Sequence, residues 1–379
     1  MTLALVLSLT LCAAPTDAEL TRFGQAIAFD FMAGQDGASS RMDLEALVDR
    51  SLSGVTLPDG FRKGFIKGLK QGFDQSWRAL ATEVSNGGTV AYRRNVTLEG
   101  QPAVQLRVLY KSGAFNFVEF MVAKGATGEL RIVDFYDLAN GSLRSADMRM
   151  LALPVLGDLQ LNVVERLLGK EQTMYKHLPA LTRINNAMNA GKWEDVRTVW
   201  TGLPKDIQDH RLFLKPYIAA LSTLDDAAYQ KMMAHYLGLY PDDAAAQVMG
   251  IDFYYLRKKW PQCRTAIVAV EKRAGSDAWF DMLRGSVALG EDKPAEVRKS
   301  LALALEKEPT LKDPYFMLID LALGEKKWAE VSKWMLAAGD KLGVEFDVKA
   351  KGFEAFAASK EGQAYARRGT PAPVLEKKH

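Results

Sequence analysis

The apolar positions of the chain change period twice. A largely apolar run, Leu3 to Ala14 (LALVLSLTLCAA), comes first. From residue 18 the spacing is helical, and 18–32, 42–52 and the longer 58–84 each read as an amphipathic helix. Between 89 and 138 the period becomes twofold. Strands are predicted at 89–98, 103–110, 115–122 and 130–138, joined by LEGQP, KSG and AKGATGE. Links this short between successive strands imply an antiparallel meander of four strands. The third strand sets Phe115, Phe117 and Met121 on one side and Val118, Phe120 and Val122 on the other. Both faces of the sheet should therefore be covered. Helical spacing then returns and runs to residue 368.

The second half repeats. GKWEDV (191–196), KKWPQC (258–263), DKPAEV (292–297) and KKWAEV (326–331) align without gaps. Trp260, Pro294 and Trp328 are 34 residues apart, as are Cys263, Val297 and Val331. Trp193 lies one residue short of two periods before Trp260. Here the chain resembles the tetratricopeptide repeat family, whose unit is a helix–turn–helix of that length. In that frame, units begin near His177, His210, Ala244, Ala278 and Lys312. Gly285, Ala304 and Ala338 stand at the family's small-residue positions, and Pro241 and Pro309 close units. Ile184, Tyr217 and Ile251 depart from the pattern, as do the Val or Cys residues that replace alanine in the second helices.

The resemblance implies an all-α solenoid of about five units over 177–342, because one such hairpin cannot bury both its faces. Capping helices would follow at 343–368 and a disordered tail at 369–379. It also implies a protein or peptide partner held on the concave face, by the fifth and ninth residues of each first helix. The groove candidates are Leu181, Asn185, Val248, Asp252, Met282, Ser286, Phe316 and Asp320. The family's carboxylate clamp needs Lys and Asn there, and only Asn185 matches, so no clamp is expected. An apolar row beside an acidic row suits an amphipathic or basic segment. The alternative is that these side chains pack between helices.

The first half reads as a separate α+β domain, 19–155, joined to the solenoid by a helical linker at 156–176. Helices followed by a curved antiparallel sheet resemble, in topology alone, the nuclear-transport-factor-2-like and cystatin-like folds. That resemblance implies a second reading, a carrier of a small hydrophobic ligand between the long helix and the sheet. Phe65, Leu69, Phe117 and Val133 are its candidate lining. Asp134, Tyr136 and Asp137 either face that pocket or form a strand-end turn with Asn140 and Gly141.

Gly60, Gly64, Gly68 and Gly72 recur every fourth residue along the long helix, with Phe61, Phe65, Leu69 and Phe73 beside them. Helix-interior glycine costs about 1 kcal/mol relative to alanine. Close packing of the helix backbone against a neighbour is the expected compensation. Arg62, Lys63, Lys67 and Lys70 make full membrane insertion expensive. Peripheral contact with a membrane surface is kept as a lesser alternative.

Composition adds the compartment and removes whole classes of activity. Residues 1–18 read as a signal peptide, although no Lys or Arg precedes the apolar run. The alternatives are a buried first element or, through Cys12, an outer-membrane lipoprotein. A periplasmic or secreted protein is expected, and its one remaining thiol, Cys263, should be buried. A net charge of +3 from 49 basic and 46 acidic residues gives no field that favours nucleic acid. His177, His210, His235 and His379 form no metal-ligand pair, and no nucleophile elbow or dinucleotide fingerprint occurs. No catalytic residue, metal or cofactor is assigned, and the chain is not expected to be an enzyme. The pairs Asp225-Asp226 and Asp242-Asp243 are read as helix starts.

Overall fold

The computed structural model describes residues 14–55, 59–125, 127–157 and 176–368. Most of the predicted signal peptide, most of the linker and the whole tail lie outside these residues. The chain divides into two compact units, the first ending at Ala246 and the second beginning at Gln247.

The first unit opens with α1 (Asp17–Met32). Thr16 and Glu19 cap it reciprocally: Glu19 N donates to the Thr16 hydroxyl, and Thr16 N donates to the Glu19 carboxylate at 2.7 Å. Then come α2 (Leu44–Ser51), started by Asp43, and the 27-residue α3 (Asp59–Ser85). The sheet follows as β1 (Thr89–Leu98), β2 (Gln101–Leu109), β3 (Phe115–Lys124), β4 (Leu130–Asp137) and β5 (Ser142–Leu143), in that spatial order and antiparallel throughout. Helices and strands fall close to their predicted bounds. The fifth strand is a correction to the expected four. The turn Asp137–Gly141, with Gly141 at φ +77°, folds the chain back against β4. Two residues then pair there before α4 (Arg144–Gly157) begins.

Burial explains why the meander needs helices. β3 is buried along its first eight residues, so it is covered on both faces. On one face Phe31, Phe73, Trp77, Phe120 and Phe135 make a continuous aromatic cluster, with ring centroids 5.4–6.5 Å apart. Here α1 approaches closely. A Cβ at Gly24 would lie 2.4 Å from the Tyr92 ring, so only glycine lets α1 reach β1.

The glycine stripe of α3 corrects its expectation. Gly60, Gly64, Gly68 and Gly72 are all exposed, and a Cβ at any of them would meet nothing within 4 Å. They are not close-packing residues. The first buried side chain of α3 is Phe73. Before it, the helix is tied down from its other side by Arg62, which donates to Glu45 and Asp49 of α2.

Helices then continue the first unit as α5 (Leu178–Asn189), α6 (Trp193–Thr201), α7 (Lys205–Gln208), α8 (Arg211–Leu224) and α9 (Asp226–Leu239). Asp225 caps α9 through Ala228 N, and Asp243 accepts from Ala245 N, as helix-start residues should. α8 is joined to the end of the sheet. Lys215 Nζ donates to Ala139 O at 2.6 Å and Arg211 Nη1 to Gly141 O at 3.2 Å.

The remaining helices are α10 (Ala244–Leu256), α11 (Trp260–Ala274), α12 (Ala278–Gly290), α13 (Pro294–Lys307), α14 (Asp313–Gly324), α15 (Trp328–Leu342), α16 (Glu354–Ala357) and α17 (Lys360–Arg368). The sequence repeat is also a geometric one. Gly191, Lys258, Asp292 and Lys326, each in the turn between paired helices, have φ of 66°, 56°, 56° and 57°. Each following lysine N–H (Lys192, Lys259, Lys293, Lys327) donates to a carbonyl five residues back, at 2.8–2.9 Å. This is the left-handed helix stop, adopted at three of the four positions by a residue other than glycine.

Within the second unit Gly285 is the close-approach glycine, because a Cβ there would lie 2.6 Å from Leu301 Cδ2. The C-terminal end is covered by Phe356, which is fully buried with Ile319, Ala322, Val331 and Met335. Cys263 is buried and free.

An ion-pair ladder repeats with the same period. Arg264 donates to Glu291 and, at 2.6 Å, to Glu296; Arg298 donates to Glu325 and, at 2.9 Å, to Glu330. Hydrogen bonds from Arg298 and then Lys327 hold Glu325 down at about 2, and Arg264 lowers Glu291. Carboxylates depressed in the fold stabilise it above their unfolded pKa of about 4.3 and lose that contribution as pH falls through the folded value. The urea midpoint should therefore drop between about pH 4 and pH 2. Arg298→Met should flatten the drop; an unchanged slope in equilibrium unfolding across that window would refute the ladder's role.

Candidate functional site

A cavity of about 430 Å³ lies between α3 and the sheet. Ligand sites in proteins span about 300–1,000 Å³. Phe73, Trp77 and Leu80 come from α3, and Val108, Val118 and Phe135 face them from β2, β3 and β4. The other end is polar, with Tyr110, Asn116, Asp137, Asn140, Arg144 and Asp147. Asp137 accepts from Asn116 Nδ2 at 2.9 Å and from Asn140 N at 3.2 Å. It is both a strand-end turn residue and part of the lining. Glu83, at the rim, accepts from Lys111 N.

The electrostatics of the polar end follow from desolvation. Burial raises the Asp147 carboxyl, with the Ser142 hydroxyl pulling the other way. Burial also raises the Tyr110 phenol, and nearby Asp137 and Glu83 add to it. Lys215, beside this end, is lowered by burial despite the charges of Asp137 and Asp243. Two donors of the lining stay unsatisfied. Trp77 Nε1 and Arg144 Nε are buried with no hydrogen-bond partner among the described residues. A buried unpaired donor costs about 1–3 kcal/mol. The Arg144 guanidinium lies over the Phe73 ring, 5.4 Å from its centroid.

Four residues expected to line this cavity do not. Phe65 and Leu69 lie on the first turns of α3, before its first buried side chain. Phe117 alternates onto the opposite face of β3 from Val118 and pairs with Arg107. Val133 is the extra residue of a bulge, between Met121↔Asp134 and Val122↔Ile132, and packs with Leu98, Ala103 and Met121. Trp77 was within reach of sequence reasoning, since it continues the i+4 row through Phe73. Arg144 carried no such signal.

The groove candidates separate by burial. Leu181 in the first unit and Met282 in the second are 6% and 5% exposed, so both are core residues. In these two helices the fifth position points into the helix packing. Ser286 is half-buried and donates to Met282 O at 3.2 Å, with Met317 Sδ 3.8 Å away. Val248 is half-buried, and Asn185 is exposed. Phe316 is exposed on one side and packs against Phe346, at 5.8 Å between centroids, on the other. Asp252 and Asp320 reach solvent, yet crowding by protein removes part of their water and raises both carboxyls. Neither has an ion-pair or hydrogen-bond partner among the described residues.

No family model, curated protein or solved structure matches the chain. Among the described residues no helix is long and apolar enough to cross a membrane.

Proposed function

We propose that this chain is an exported scaffold, whose C-terminal half is a tetratricopeptide-like solenoid that holds a basic amphipathic segment of a partner protein. The observation that carries the reading is the pair Asp252 and Asp320. They occupy the same repeat position two periods apart, open to solvent, partly desolvated and unpaired. Such carboxylates gain from a cation that displaces their remaining water. The repeated left-handed turns and the arginine ladder support the solenoid beneath them. Catalysis forms no part of the reading.

A photo-crosslinker at position 316 should trap one recurrent partner in cells. Asp252→Asn with Asp320→Asn should reduce that adduct about tenfold or more while the melting temperature stays unchanged. An adduct indifferent to both substitutions would sink the acidic-row mechanism.

A second reading, a small-ligand carrier in the first unit, is favoured by the cavity between α3 and the sheet.

A further inference from the structure

The cavity's unpaired groups indicate what it would carry. Two of its carboxylates already have donors: Asn116 and Asn140 for Asp137 and the Lys111 amide for Glu83. Arg144 itself and then Arg211, which is ion-paired with Asp243, act on Asp147 through space, and Lys215 lies near Asp137. The Arg144 guanidinium has no ion-pair partner among the described residues, and its Nε is buried and unpaired. The indole N–H of Trp77, a residue 92% buried, is the second free donor of the same lining. What these two donors lack is an acceptor within hydrogen-bond reach, and the charge of Arg144 favours an anionic one. Around these donors the walls are aromatic and aliphatic. Phe73 and Phe135 stand edge-on at 5.9 Å, with Val108 and Val118 beyond.

We propose that this cavity binds a small monocarboxylate with an apolar body, its carboxylate received by Arg144 and the Trp77 N–H and its body against Phe73, Phe135 and Val118. The proposal rests on the carrier reading. It adds the ligand's chemical class. A planar body fits the edge-to-face aromatic wall better than a branched one.

The test is calorimetric titration of the full chain with two acids, 2-naphthoate and decanoate, and their uncharged counterparts, 2-naphthamide and 1-decanol. The acids should bind about tenfold or more tightly than the neutral molecules. Arg144→Gln should weaken the acids far more than the neutral molecules and so remove that preference. Trp77→Phe, which keeps a ring and deletes the donor, should weaken the acids several-fold. Val118→Phe, which fills the space, should abolish all binding, and unchanged far-ultraviolet spectra would show that each variant folds. Equal affinity for acids and neutral molecules, or acids untouched by Arg144→Gln, would overturn the carboxylate assignment and leave the carrier reading standing. A folded chain that binds none of the four probes would overturn both.

Discussion

Alanine at Gly64, Gly68 and Gly72 together should stabilise the protein by about 3 kcal/mol, about 1 kcal/mol for each site. All three sit inside α3, all three are exposed, and an added methyl group would meet nothing within 4 Å. Alanine then only removes unfolded-chain entropy that glycine must lose on helix formation. Equilibrium urea unfolding of the triple variant reads the change directly, as a higher midpoint at constant slope. A loss of stability would mean that the stripe is covered by protein in solution. Gly24 and Gly285 supply the contrast. Their Cβ atoms would lie 2.4 and 2.6 Å from Tyr92 and Leu301, so alanine there should destabilise.

The largest loss should come from Phe120→Ala, about 3–5 kcal/mol. Phe120 is 1% exposed and touches both Trp77 and Phe135, with centroids 5.7 and 5.8 Å away. Its removal leaves a void at the centre of the helix–sheet contact, where the neighbouring rings are held by one another and cannot close in. The measurement is again urea unfolding, accompanied by near-ultraviolet circular dichroism for the aromatic cluster. A cost under 1 kcal/mol would show that the cluster is loosely packed.

Much of the fold could be read from the chain because periodicity is local. The meander, the three leading helices and the capping aspartates follow from spacing and residue type within a few positions. The glycine stripe shows where that stops. Glycine every fourth residue marks a close approach or an open face, and what lies across from the helix decides between them. The cavity lies where the ligand-carrier alternative needs one, between the long helix and the sheet, but its lining is not legible in the sequence. A one-residue bulge at Val133 turned that side chain to the other face, and the choice among Phe65, Leu69 and Phe73 depended on where along α3 burial begins. Leu181 and Met282 follow the alternative of packing between helices, because degenerate repeats do not reveal which way the fifth position points. The ladder residues stood in the chain at the right spacing, yet their pairing exists only once hairpins stack.

The ladder also has a direction in time. Arg264 is met by residues 27 and 32 positions later, and Arg298 by residues at the same two separations. As the chain leaves the ribosome, the helical pairs carrying Arg264 and Arg298 therefore each emerge with a guanidinium that stays uncompensated until the next pair arrives. A nascent chain halted between two pairs would present a bare cation at its growing end, whereas loss of the leading pairs would bare glutamates instead.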